Sequence, residues 1–415
     1  MPADQPDPVP SPSVADEAVV ASATAAVTFA AAAPEPASAA ASAGAAPTIA
    51  GDGVVHEIRW SDALPWWLLF RAAAAAFSPT VILLAAAGSL ALWAGWSVAD
   101  KVGLPAAGGA LPSPSAAAPT AVRPFDGAAL LAAAVNVLPP PAAQAVGQAL
   151  ALFSPSVTAA TACGALVRLG WFVVVWSLFG TAIARVVGLR LAREEPLGFA
   201  GAVREGMRLW TAPTNAALFT LLAMLGLSLP GMLLGFLMRT DWGLAAVGAI
   251  WPLFLAAGLV LALLAVGVVV GWPLMVAATG IERGDSFQAI STSFSYLYQR
   301  PLHAAFYALL AALVAVPALT VAALFADATA GMALWGASFG MGHERTTAVL
   351  GAGLCEQAPF GARAIRTWTD ALESILGAFG WGYFWSIATA AVLLLRRDVD
   401  GTEIDEINAE TNESG

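Results

Sequence analysis

GIERGDSFQAISTSFSYLYQRPLH, running from Gly280 to His303, is a polar island between two apolar runs of membrane-spanning length. Asp285 followed three residues later by Gln288 fits a capping box and predicts a helix start. Phe287, Ile290, Phe294 and Leu297 then recur at spacings of three and four, which gives one apolar helical face. Gln288, Ser291, Thr292, Ser295 and Gln299 occupy the rest. Pro301 has the fixed φ and missing N–H that suit a first helical position. Tyr296 and Tyr298 suit the headgroup level. The stretch predicts an amphipathic helix lying flat in the membrane interface, a ramp, followed by a proline-initiated spanning helix.

The same grammar recurs upstream. In EEPLGFAGAVREGMRLWTAPTNAALF, residues 194–219, Phe199, Val203, Met207 and Trp210 form the apolar stripe. Arg204, Glu205 and Arg208 form its polar side, and Pro213 opens the next run. Ala202 and Ala289 lie 87 residues apart, Pro213 and Pro301 lie 88 apart. A third version is IRWSDALPWWLLFRAAAAAFSP, residues 58–79, with Trp60, Leu64 and Trp67 toward lipid and Pro79 at the span start. Three copies of ramp, outward span, connection and return span predict a threefold internal repeat whose units keep one orientation. The competing reading is that any inner loop between apolar helices gathers Arg, aromatics and Pro by itself.

Composition agrees with a lipid-embedded chain. Of 415 residues, 59% are hydrophobic and 11% charged, against about one quarter charged in soluble domains. Mean hydropathy is +0.76. Six windows reach the 20 or so apolar residues of a spanning helix: 77–98, 166–188, 215–237, 247–275, 304–326 and 375–395. The fold class expected is therefore all-α, a polytopic integral membrane protein with six transmembrane helices and amphipathic interfacial helices. The apolar run from Gly243 to Ile281 is too long for one upright span, and reads as one tilted helix or two short ones.

Residues 1–53 are rich in Ala, Pro and acids and predict a disordered cytosolic tail, without the cationic start of a secretory leader. Residues 54–397 form the membrane domain, with outer loops at about 99–156 and 327–370 and a tight turn at 239–243. Residues 398–415 form an acidic, disordered cytosolic tail. With both termini inside, 11 of the 18 basic residues fall on the cytosolic face and 7 outside, which favours this orientation in a bacterial inner membrane. The net charge of -10 and the lack of a basic stripe exclude nucleic acid as a partner.

The motif A-[IV]-x-x-[SG]-[FM] ahead of aromatics and a proline stands as Ala289-Ile290, Ser293-Phe294 and as Ala202-Val203, Gly206-Met207. Together with the tail LLLRRDVDGTEIDEI from Leu393 to Ile407, it resembles uncharacterised bacterial polytopic membrane proteins. It is distantly similar to the membrane domain that accompanies some glycerophosphodiester phosphodiesterases. The resemblance covers residues 58 to 407, and no counterpart of the phosphodiesterase catalytic domain is present, so it implies architecture and no catalytic residue.

Several chemical motifs tempt and fail. Gly336-Ala337-Ser338-Phe339-Gly340 matches G-x-S-x-G, whose elbow requires a strand-to-helix turn that an all-α chain lacks. His343-Glu344 has no second His four residues on, and His56, His303 and His343 are spread over both faces, so no metal site is expected. Cys163 and Cys355 both fall outside on this topology and form a candidate disulfide; the alternative is two small buried apolar residues. The polar groups at mid-depth are Ser177, Thr181, Thr220 and Ser228, all expected to bond their own helix carbonyls. Ion-coupled transport normally needs ionisable groups there. Gly231-x-x-x-Gly235 and Gly267-x-x-x-Gly271 offer close helix packing. The expectation is a non-enzymatic scaffold, assembly or accessory component without cofactor, in contact with the bilayer and with membrane-protein partners or further copies of itself. A channel or facilitator for a small or lipid-like solute is the alternative.

Overall fold

The computed structural model describes residues 64–105, 139–153, 157–350, 360–402 and 404. Within these, regular structure is helical throughout and no strand occurs among the described residues. The order is α1 Trp67–Ala76, α2 Pro79–Lys101, α3 Pro140–Leu152, α4 Ala159–Ala192, α5 Phe199–Leu209 and α6 Thr211–Leu237. There follow α7 Asp241–Ala249, α8 Trp251–Glu282, α9 Ser286–Gln299, α10 Pro301–Leu350, α11 Phe360–Gly377 and α12 Phe379–Asp400. Five helical runs are long and apolar enough to cross a membrane, as a multi-pass membrane protein requires: α2, α4, α5 with α6, α8, and α10. The expected tails at 1–53 and beyond 404 lie outside the described residues.

Local sequence explains the helix boundaries. Pro79 and Pro301 occupy the first positions of α2 and α10, while Pro213 sits two residues inside α6. Asp285 caps α9 by accepting from the Gln288 backbone N–H at 2.8 Å. The reciprocal half of the capping box is missing, because Gln288 Nε2 donates to Glu282 at 3.2 Å. Three long helices, α4, α8 and α12, are each followed by a left-handed residue: Glu194 at φ 59°, Arg283 at φ 57° and Gly401 at φ 68°. Such a residue ends a helix and turns the chain aside.

The three-dimensional arrangement places α4, α8 and α12 against one another at the centre. Helix α2 packs on α4, α6 on α8, and α10 on α12, which makes three antiparallel hairpins. Each ramp then lies on the hairpin before it. The α5 ramp packs on α4 and α2, and α9 packs on α8 and α6. The order closes on itself, since α1 packs on α12 and α10. The ramps and the left-handed chain ends occupy one side of the bundle, called here the ramp face.

Seating a ramp depends on small residues rather than on its large apolar stripe. The small residues Ala202, Gly206, Ala289 and Ser293 are buried, together with Glu205 and Tyr296, while Phe199, Met207 and Phe287 are exposed. A Cβ on Gly206 would lie 2.6 Å from the Leu178 carbonyl oxygen. Ser293 sits at the matching place on α9 and donates to the Gly271 carbonyl at 2.7 Å. Gly267 and Gly271 thus receive the ramp, Gly267 beneath the Phe294 ring, instead of a second spanning helix. Gly231 touches Phe254 across the α6–α8 hairpin, and nothing approaches Gly235.

Several boundaries differ from the sequence reading. The turn expected at 239–243 is shorter, since α7 begins at Asp241 under a Thr240 cap. A break at Ile250 separates α7 from α8, so the long apolar run is one nine-residue helix followed by one 32-residue helix. At about 1.5 Å per residue, α7 is far too short to cross, and the run spans once. The loop expected at 327–370 is largely helical: α10 continues to Leu350 with a non-helical break at Gly342, and α11 starts at Phe360. In the loop expected at 99–156 the helix among the described residues is α3, which packs on α4. Finally, α12 runs through Asp400, past the predicted edge at 397.

Close seating gives a direct test. Gly206→Val should cost about 1–3 kcal/mol, the usual penalty of overpacking, with lowered thermal stability in detergent. Gly235→Ala, in open space, should leave the melting temperature unchanged or slightly raised.

Candidate functional site: ramp-face clasps and a central aromatic stack

The ramp face gathers most of the charge-bearing contacts in the described bundle. Arg71 on α1 meets Glu194, the left-handed residue after α4, at 3.5 Å. Glu205 on α5 meets Arg283, the left-handed residue after α8, at 2.7 Å. Arg71 and Glu205 each stand eight residues before Pro79 and Pro213 respectively. The two ion pairs therefore join equivalent positions with the charges exchanged. On α9 neither Ser293, eight residues before Pro301, nor Thr292, 87 residues after Glu205, is charged, and the chain turns at Gly401, so this pair has no counterpart there. One turn along, Tyr296 instead donates to Asp400 at 2.6 Å. In all three cases a ramp is tied to the end of the return helix that follows it.

Further bonds tie the ends together. Arg396 on α12 lies 3.7 Å from Glu282 on α8, and Gln288 reaches the same carboxylate. Tyr307 on α10 donates to Asp398 at 2.7 Å. Arg185, 3% exposed on α4, donates to the Ile281 carbonyl on α8 at 3.3 Å. Burial, and then the hydrogen bond to Asp400, push the Tyr296 phenol above its ordinary value, so it remains a donor through the physiological range.

Above this girdle the centre is aromatic. Trp176 on α4 stacks on Trp381 of α12 with centroids 4.0 Å apart, and Trp385 lies 5.9 Å from Trp176. Trp272 of α8 meets Trp385 edge-on at 5.8 Å, and Phe172 contacts both Trp272 and Trp381. Gly180 makes room for the Trp385 ring and Gly88 for the Trp176 ring. On the opposite face Arg168, buried on α4, pairs with Asp100 at 2.6 Å and donates to the Leu104 carbonyl.

The predicted interfacial faces are partly placed. Phe199, Met207 and Phe287 are exposed, while Val203, Trp210, Ile290, Phe294 and Leu297 are half-buried. Cys163 is exposed on the first turns of α4, and Cys355 lies outside the described residues, so the pairing stays an expectation. Ser338 sits on helix α10 with its hydroxyl on the Trp335 carbonyl, in no elbow. Thr220 and Ser228 bond their own helix carbonyls as expected. Ser177 and Thr181 do not, which corrects the sequence reading; neither hydroxyl has a partner. Among the described residues no cluster of three or more His, Cys, Asp or Glu could hold a metal. The charge-exchanged clasps escaped the sequence reading, although equal distances to Pro79 and Pro213 were there to be used. No family model matches the chain, and neither does any curated protein or solved structure.

Burial separates the two ion pairs. The Glu205 and Arg283 side chains are 11% and 20% exposed, against 83% for Glu194. Glu205→Gln should cost roughly 2–4 kcal/mol, toward the range for breaking a buried pair. Arg71→Gln should cost under about 1 kcal/mol. The exchange Glu205→Arg with Arg283→Glu should recover much of the loss in thermal unfolding, since the first clasp already carries that polarity.

The raised Tyr296 phenol has a folded pKa above its unfolded one, so its contribution is complete below about pH 10 and is lost as pH rises beyond it. Tyr296→Phe should flatten the alkaline limb of the stability profile.

Proposed function

We propose that this chain is a non-enzymatic scaffold, assembly or accessory component of a bacterial inner membrane. In this reading it is a threefold internal repeat with six spans, α12 being the sixth, and its ramp face and both termini are cytosolic. The observation that carries the scaffold reading is the filled centre: where α4, α8 and α12 meet, Trp176, Trp381, Trp385, Trp272 and Phe172 pack ring against ring. A permeation path along that axis would have to displace tightly packed indoles, each of which buries a large apolar area.

Support for the repeat comes from the cyclic seating of ramps on preceding hairpins and from the exchanged clasps. Indole and phenol rings with Arg396 and Arg397 lower the hydropathy of α12, yet its length of 22 residues matches a span. The likeness to the membrane domain beside some glycerophosphodiester phosphodiesterases is, on this reading, one of architecture. Partners would be lipid, other membrane proteins or further copies of this chain. The first half of α8 offers them the apolar side chains of Leu253, Leu255 and Leu259, all strongly exposed.

The rival reading, a channel or facilitator for a small or lipid-like solute, draws on the polar side chains of α4 inside the bundle. Reconstitution separates the two. Liposomes carrying the purified chain should release ions and small polar solutes no faster than empty ones, and the protein should leave its native membrane with a stoichiometric partner or as a homo-oligomer. Solute flux well above the empty-liposome level, or a solitary monomer, overturns the scaffold reading. For topology, single cysteines at Arg204 and Ser291 should label only from the cytosolic side and one at Asp241 only from outside.

A further inference from the structure

Helical hydroxyls in this protein generally bond the carbonyl one turn back. Thr220 does so to Ala216, Thr279 to Met275, Ser386 to Gly382 and Thr389 to Trp385, all at 2.7–2.9 Å. Ser177 and Thr181 on α4 are wholly buried and break the habit, with neither Oγ partnered. Two indoles share the condition. Trp96, Trp171 and Trp272 donate to backbone carbonyls, whereas Trp176 and Trp385, both wholly buried, leave Nε1 without an acceptor. Buried polar groups are almost always paired, so four orphans in one place call for a physical account.

They are in one place. Trp176, Ser177 and Thr181 fall within six residues of α4. Cε2 of Trp385, the ring carbon bonded to Nε1, lies 2.9 Å from where a Cβ on Gly180 would stand. Gly180 is flanked by Thr181 and is three residues from Ser177. Trp176 turns Cζ3 and Cη2 toward Gly88 on α2, which leaves its N–H side away from that helix. Ser177, Thr181 and Arg185 follow at intervals of four and share one face of α4. The third of them brings a buried guanidinium one turn from Thr181.

The cluster can present four donors at once. An indole N–H only donates, and each hydroxyl turned from its helix carbonyl has a proton to give. One water molecule offers two acceptor positions, fewer than the four donors present. A spherical anion accepts from every side. We propose that Ser177, Thr181, Trp176 and Trp385 form an internal binding site for a small inorganic anion of halide size, at the junction of α4 and α12. The donors replace the hydration shell whose loss would otherwise forbid a buried ion. The site does not depend on the scaffold reading, and would exist in a channel as well.

The test uses the full-length protein in detergent, melted in sodium chloride or bromide against sodium gluconate at constant ionic strength. The wild-type melting temperature should rise and saturate with halide. The near-isosteric double variant Ser177→Ala, Thr181→Val should melt in gluconate close to wild type and show no halide rise. If that variant does not fold, bromide anomalous scattering from crystals of the unaltered protein decides, with a peak expected between Ser177 and Trp385. An equal halide response in both proteins, no response in either, or water without bromide at that position overturns the proposal.

Discussion

Backbone-to-backbone approach at the ramps is the constraint on which the rest of the structure depends. A helix among lipid-facing neighbours gains little by touching another helix through long side chains, because lipid satisfies those equally well. It gains by close contact, and only small residues permit that. Gly206 and Ser293 let their ramps meet the Leu178 and Gly271 carbonyls. Once a ramp is seated on the hairpin before it, the proline that follows fixes where the next span begins. The position of each hairpin is thereby set by the previous one, and the contact of α1 with α12 closes the series.

That sequence of dependencies gives the clasps their meaning. Each one links a ramp to the end of its own return helix, while the ramp's body rests on a neighbour. The ion pair at Arg71 and Glu194 and the one at Glu205 and Arg283 run in opposite senses between matching positions. What is kept is the join and its geometry, including the left-handed residue that presents one partner. The sign of the charge is free. A glutamate and an arginine hold that backbone conformation at a steric cost of order 1–2 kcal/mol that Gly401 escapes. The clasp partners occupy those two costly positions, and the third join uses a phenol and a carboxylate displaced by a turn.

How much of this could be read in the chain follows from the same physics. Helix identity, the proline starts and the short helices α5 and α9 were legible because they rest on local periodicity and on residue types with fixed backbone demands. Boundaries on the far side were not. The extension of α10 past residue 327 and the separate α7 depend on where an apolar stretch breaks, and Gly342 and Ile250 carry no signal that dozens of other Gly and Ile residues lack. The apolar stripes drew the eye in the sequence, but they are not what seats the ramps. Phe199, Met207 and Phe287 look outward, and the packing face is the inconspicuous row of Ala, Gly and Ser beside them. Hydropathy ranks residues by transfer energy, whereas helix contact in lipid is decided by size.

The same blind spot explains why the polar interior was misjudged. A serine or threonine in a membrane helix normally disappears into its own backbone, and nothing in the residues around Ser177 or Thr181 marks them as exceptions. Their difference arises from distant chain. Gly180, between them, gives α12 room to bring Trp385 against α4, while Gly280 lets α8 approach the Thr181 carbonyl from another side, 2.9 Å from where its Cβ would be. Small residues on two helices thus bring the α8 backbone and the Trp385 ring against α4, where the two hydroxyls turn away from their usual acceptors. Close seating, the device that builds the ramps, also builds the polar spot at the centre of an otherwise aromatic core.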